Sequence, residues 1–154
     1  MSREDMLYQI YYSYCLEKML SVITDKINWA SSFLLILLGS TIAVIGGYYT
    51  VFAGLLIIAI ATMQIMFSFE VTSERANKQA ARYLMLYNTS HLIISDEELL
   101  NRLVDIQDND NRPWASLVYP AMLQASQILG RPTDIQLTWY EKLMAILAGS
   151  VSVR

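Results

Sequence analysis

Groups able to do chemistry are scarce in this chain. Among 154 residues there is one cysteine, Cys15, and one histidine, His91. A lone cysteine rules out an intramolecular disulfide and leaves the redox compartment open. One thiol and one imidazole also exclude a histidine–cysteine metal site within a single chain. Cys15 falls inside a helical pattern and reads as a small packing residue. His91 ends the segment "YNTSHLI" and reads as a capping or surface residue rather than a base. No GxSxG, P-loop or GxGxxG is present. The expectation is a protein that is not an enzyme, with no catalytic residue, no metal and no cofactor. Charge is scarce as well, at 16% of residues against about 25% in soluble domains. With a net charge of −3 and no concentrated basic face, no nucleic-acid partner is expected. Three prolines and six glycines leave little room for a long linker.

What the chain has in excess is apolar residues, 55% of the total against the usual 45–50% or so. They are concentrated in one block. No charged residue lies between Lys26 and Glu70, an interval of 43 residues, and all 11 basic and 14 acidic side chains lie outside it. A helix crossing a bilayer needs about 20 mostly apolar residues, so the block is long enough for two spans and too long for one. The first span is expected over 28–45, "NWASSFLLILLGSTIAVI", and the second over 49–69, "YTVFAGLLIIAIATMQIMFSF". Gly46 and Gly47, with Tyr48, form the turn. A buried helical hairpin in a soluble protein is the other reading, disfavoured because a core helix seldom lacks a solvated face for so long. The first 27 residues carry seven scattered charges, unlike a cleaved signal peptide.

The flanks define membrane-interface candidates. Trp29 and Lys26 stand at one edge and Tyr48 and Tyr49 at the other, with Arg75, Lys78 and Arg82 beyond the second span. Positive charge precedes the first span and follows the second, and the turn has none. Both termini are therefore expected in the cytoplasm, across a bacterial inner membrane. Gly39, Ala43 and Gly47 form a small-residue stripe that lets another helix backbone come close, either the second span of the same chain or a span of another copy. Gln64 is the strongest polar group in either span, suited to an interhelical hydrogen bond or to water in an oligomeric pore.

The rest reads as helices. Residues 1–27 form an amphipathic N-terminal helix with apolar positions at Leu7, Ile10, Tyr14, Leu16, Leu20, Ile23 and Ile27. Its tyrosines (Tyr8, Tyr11, Tyr12, Tyr14) suit either the lipid surface or packing against the C-terminal part. Residues 70–154 form a cytoplasmic helical domain. The second span continues through "EVTSERANKQAARYLMLYN", with Ala76, Ala80, Tyr83 and Tyr87 on one face. Ser95 and Glu98 fit a capping box, and "DNDNRP" is a loop without the glycine and glutamate of a calcium site. A further helix is expected from Pro113 to Gly130, and a last one opened by a Thr133–Gln136 capping box and running through Ala148. The fold class is thus an all-α membrane protein: an N-terminal helix over 1–27, a hairpin over 28–69 and a small helical domain over 70–154.

This order of elements, the short "IGGYY" turn and the basic, alanine-rich "SERANKQAARYLMLY" after the second span resemble the SLATT family, the SMODS and SLOG-associating two-transmembrane effector domain of bacterial conflict systems. The resemblance covers roughly residues 5–128 and leaves the last helix as an addition. It brings no catalytic residues. It implies an antiviral or cell-suicide effector that oligomerises and damages the inner membrane when a cytoplasmic sensor protein is triggered. The partners so implied are the lipid bilayer, further copies of the chain and that sensor. The same topology fits a membrane anchor or scaffold for a cytoplasmic partner, and less well a phage holin-like protein, which needs no large structured tail.

Overall fold

The computed structural model describes residues 2–45 and 47–150 and is helical, with no strand among them. In chain order the helices are α1 (Arg3–Ile45), α2 (Tyr48–Phe67), α3 (Phe69–Thr89), a 3-10 turn (Ser90–Leu92), α4 (Asp96–Gln107), α5 (Ala115–Ile128) and α6 (Trp139–Leu147). Two of them are long and apolar enough, by length and composition, to cross a membrane. The chain divides into two compact units, Thr24–Thr72, and Met1–Ile23 with Ser73–Arg154.

In the helical unit, the N-terminal part of α1 packs among helices that follow the apolar block. Its buried stripe is Met6, Ile10, Ser13, Glu17 and Leu20, alternating steps of four and three. Of the apolar positions expected inside, Leu7, Tyr14, Leu16 and Ile27 are only half-buried. The register is shifted because Ser13 and Glu17 find polar partners in the interior. Met6 and Ile10 meet Tyr83 and Leu86 of α3, Ile93, and Leu99 and Leu103 of α4 in one core cluster. Full burial of a side chain such as Leu99 contributes about 1.5–3 kcal/mol. The tyrosines of α1 join this packing: Tyr11 makes edge contacts with Tyr14 and Tyr87 at 5.4 and 5.0 Å, and the Tyr8 hydroxyl is 3.2 Å from Ser126 Oγ.

Arg3 ties the start of α1 to the turn after α3. It donates to the Ser90 and Ile93 carbonyls at 2.6 and 2.7 Å and pairs with Asp96 at 2.7 Å. Carbonyls near a helix end lack intrahelical partners, and a guanidinium satisfies two at once. Ser95 caps α4 by accepting from the Glu98 amide, whereas the Glu98 carboxylate turns to Arg102 at 2.6 Å instead of closing a box. α6 packs on α5, with Met144, Ala145 and Ala148 buried. Both of these helices end in the same way. Gly130 (φ +65) and Gly149 (φ +75) take the left-handed conformation, and the next amide reaches back to the Ser126 or Ala145 carbonyl at 2.9 Å.

The start of α6 differs from expectation. Residues 131–138 are not helical, and the capping box is Thr138–Glu141, with Thr138 N donating to Glu141 Oε2 at 2.8 Å. Thr133 instead uses its hydroxyl locally, accepting from the Ile135 amide at 3.4 Å. An anionic N3 side chain also gains from the helix dipole, which the neutral Gln136 does not.

In the other unit, α1 continues to Ile45 and α2 begins at Tyr48. Gly47 is the N-cap of α2, at φ +86, and its carbonyl accepts from the Thr50 amide and hydroxyl at 3.1 and 2.6 Å. Gly46, expected in the same turn, lies outside the described residues. The second apolar helix does not run straight on as expected: Ser68 stands between α2 and α3 in the left-handed region, at φ 44 and ψ 49. Its amide bonds the Gln64 carbonyl at 2.9 Å and its own carbonyl accepts from Thr72 at 3.0 Å, so hydrogen bonding persists on both sides of the break.

Candidate functional site

Two places carry features beyond packing. The first is the apolar surface of the Thr24–Thr72 unit. Trp29, Phe33 and Ile36 of α1 and Phe52, Ile58, Ile65 and Met66 of α2 are all exposed, Ile65 and Met66 to more than three-quarters. The most apolar window of Thr50–Leu92 contains no buried residue. Trp29 stacks on Phe33, ring centres 5.6 Å apart, at the end nearer the exposed Lys26 in sequence.

Within this unit Gln64 Nε2 donates to Ser32 Oγ at 3.2 Å, joining α2 to α1. Gly39 takes part in no close approach among the described residues. It is exposed, and a methyl group built on it meets none of their atoms within 4 Å outside its own turn of helix. A Cβ added at Gly47 likewise meets nothing within 4 Å among the described residues, although its φ of +86 is one that side chains rarely adopt. The side chains of Ala43, Tyr48 and Tyr49 lie outside the described set, although their backbones are helical.

The second place is in the helical unit. Arg75, Lys78 and Arg82 lie at i, i+3 and i+7 on α3, opposite the face that buries Ala76, Ala80 and Tyr83. Lys78 pairs with Glu74 at 2.6 Å, and the two arginines have no carboxylate partner among the described residues. All three line an open cavity of about 760 Å³ whose other wall is the loop Asp108–Asn111.

That loop is held from beneath by a polar network. Gln79 Nε2 donates to the Ile106 carbonyl and, at 2.8 Å, to Asp110 Oδ1. The Tyr83 hydroxyl lies 2.7 Å from both Asp110 oxygens. Asn111 donates through its backbone and its amide to the two oxygens of Glu17, at 3.0 and 2.9 Å. Glu17 is buried at 4% exposure. Burial pushes its carboxyl up to about 6, against the pull of the two Asn111 bonds, and the Asp110 charge adds to the rise. Burial and the Asp110 carboxylate raise the Tyr83 phenol well above its ordinary value. Among the described residues no buried side-chain polar atom is left without a partner.

None of Glu17, Gln79, Tyr83 and Asp110 stands out in the sequence as a functional residue. The only local signal is Glu17 at a core register position between Ser13 and Leu20. Cys15 is buried, with its thiol pushed up to about 12 by burial, and His91 is exposed beside Leu92. Among the described residues, no group of three or more histidines, cysteines or acids is placed to hold a metal ion. Comparison with protein-family models, curated proteins and solved structures found no match.

Proposed function

We propose that the chain is a non-enzymatic membrane effector. Its two apolar helices insert as a hairpin into a bacterial inner membrane with both termini in the cytoplasm. Copies of the chain then assemble through these helices and permeabilise or perturb the bilayer when the helical unit receives a cytoplasmic trigger. The observation that carries this reading is the array of exposed large apolar side chains along α2 and along α1 from Trp29 onward, among the described residues. A soluble monomer seldom leaves so large a contiguous apolar surface in water, and lipid or neighbouring helices would cover it. The open space at Gly39 supports packing between chains over packing within one, because no described residue outside its own turn of helix uses the close approach that glycine permits. The resemblance to two-transmembrane effectors of conflict systems supports the same assignment.

A second reading, a membrane-anchored scaffold for a cytoplasmic protein, is favoured by α6. This helix leaves Trp139, Leu143 and Ile146 exposed while its other face packs on α5. Induced expression with a membrane-potential dye separates the two. The effector reading predicts depolarisation and growth arrest, both abolished by Gly39→Leu at unchanged protein level. Normal potential under every condition of expression, or depolarisation indifferent to Gly39→Leu, contradicts assembly through this face.

A further inference from the structure

We infer that the cavity between α3 and the Asp108–Asn111 loop is a binding site for a phosphate ester that also carries hydroxyl or amine donors. The assignment rests on three features of one wall-to-wall arrangement. Arg75, Lys78 and Arg82 line one side, and guanidinium groups are the side chains best matched to phosphate oxygens. The two arginines are not neutralised by carboxylates among the described residues, so an anion entering the cavity displaces no ion pair of theirs. The opposite wall offers the carboxylates of Asp108 and Asp110. They repel a bare anion, yet accept from hydroxyl or ammonium groups attached to it. The ligand they select is therefore bifunctional, with phosphate toward α3 and donors toward the loop.

The loop wall is also set in place before any ligand arrives. Asp110 is held by Tyr83 and Gln79, and Asn111 by the buried Glu17. A wall fixed by interior hydrogen bonds loses little conformational freedom on binding. This distinguishes the cavity from a surface cluster of basic side chains on a single helix. Its volume, about 760 Å³, lies within the range of roughly 300–1,000 Å³ of small-molecule sites. Two sources supply this chemistry: the headgroup of a phospholipid such as phosphatidylglycerol, and a free soluble phosphate ester. The inference does not depend on the pore reading, since a soluble ester reaches the cavity whatever the apolar helices do.

The test is calorimetric titration of the full chain in a mild non-ionic detergent. The probes are glycerol 3-phosphate, dihexanoyl phosphatidylglycerol and dihexanoyl phosphatidylcholine, whose choline group has no donor. Saturable binding of glycerol 3-phosphate identifies a free ester as the source. Binding confined to the phosphatidylglycerol identifies a lipid headgroup. In either case Arg75→Gln with Arg82→Gln weakens binding about tenfold or more, and the charge-matched pair Arg102→Gln with Lys142→Gln leaves it within about twofold. Asp108→Asn erases the preference for the glycerol over the choline headgroup. The inference is overturned if neither donor-bearing probe binds, if both charge-matched pairs weaken binding equally, or if the choline lipid binds as well as the glycerol lipid.

Discussion

Glu17 is the buried acid that anchors the Asp108–Asn111 loop through Asn111, and Glu17→Gln tests why its carboxyl is raised. The carboxyl is 4% exposed, and burial raises it from 4.5 to about 6. The folded chain therefore holds the Glu17 proton more tightly than the unfolded chain. Its contribution to stability is fully present below about pH 4.5 and is lost as pH rises through about 6. At 1.36 kcal/mol per unit, the shift corresponds to about 2 kcal/mol across that window. Glutamine has the same shape and cannot ionise. One of the two Asn111 donors loses its acceptor in the variant, but that cost is the same at every pH. The informative quantity is thus the difference in unfolding free energy between wild type and Glu17→Gln. It is measured by urea unfolding in detergent at pH 4.5 and 7.5, with the half-buried Trp114 as fluorescent reporter. Subtraction cancels the other titrating groups, and the difference should move by about 2 kcal/mol toward the variant at the higher pH. A difference that stays flat, or moves toward wild type, refutes the burial argument.

Other outcomes follow from the same network and from the helix ends. Tyr83→Phe removes a buried hydroxyl that bonds both Asp110 oxygens and should cost about 1–3 kcal/mol in unfolding; Tyr87→Phe, half-buried with no hydroxyl bond among the described residues, should cost less than about 0.5 kcal/mol. Thr138→Ala removes the α6 capping box and should cost about 1 kcal/mol, with Thr133→Ala measurably milder in thermal unfolding. Cys15, with its thiol pushed up to about 12 from 9.0, carries roughly a thousandfold less thiolate than a free thiol. Iodoacetamide at pH 8 should leave it unmodified in the native chain and alkylate it in urea; rapid native alkylation would show that this part of α1 is not buried.

The parts of this fold that could be read in advance are those with local causes. Gly130 stops α5 and Gly149 stops α6 because each adopts a left-handed conformation within a few residues of the carbonyls it helps to satisfy. Ser95 announces α4 by another local means, its side chain accepting from the Glu98 amide. The start of α6 was misplaced because the expected Thr133–Gln136 box is not the only match to the pattern. The Thr133 hydroxyl accepts from the Ile135 amide, and the box forms at Thr138–Glu141. The left-handed Ser68 had no sequence signature, since serine seldom adopts that conformation. The basic stripe Arg75, Lys78, Arg82 is visible from its helical spacing alone. Its opposing wall is not, because Glu17 meets Asn111 across 94 positions of sequence and no periodicity records such a pairing. An apolar-pattern search passes over Glu17 for the same reason: a buried acid is acceptable only with a partner that the local sequence does not contain.

The central claim is that the apolar hairpin crosses a membrane with only its turn on the far side. Single cysteines at Tyr48 in the turn and at Ser95, each in a Cys15→Ala background, test it in bacterial spheroplasts with a membrane-impermeant maleimide. Tyr48→Cys should label in intact spheroplasts, Ser95→Cys only after lysis, and the chain should stay with the membrane through carbonate washing. Release of the chain by carbonate, or labelling of Ser95→Cys before lysis, contradicts the claim.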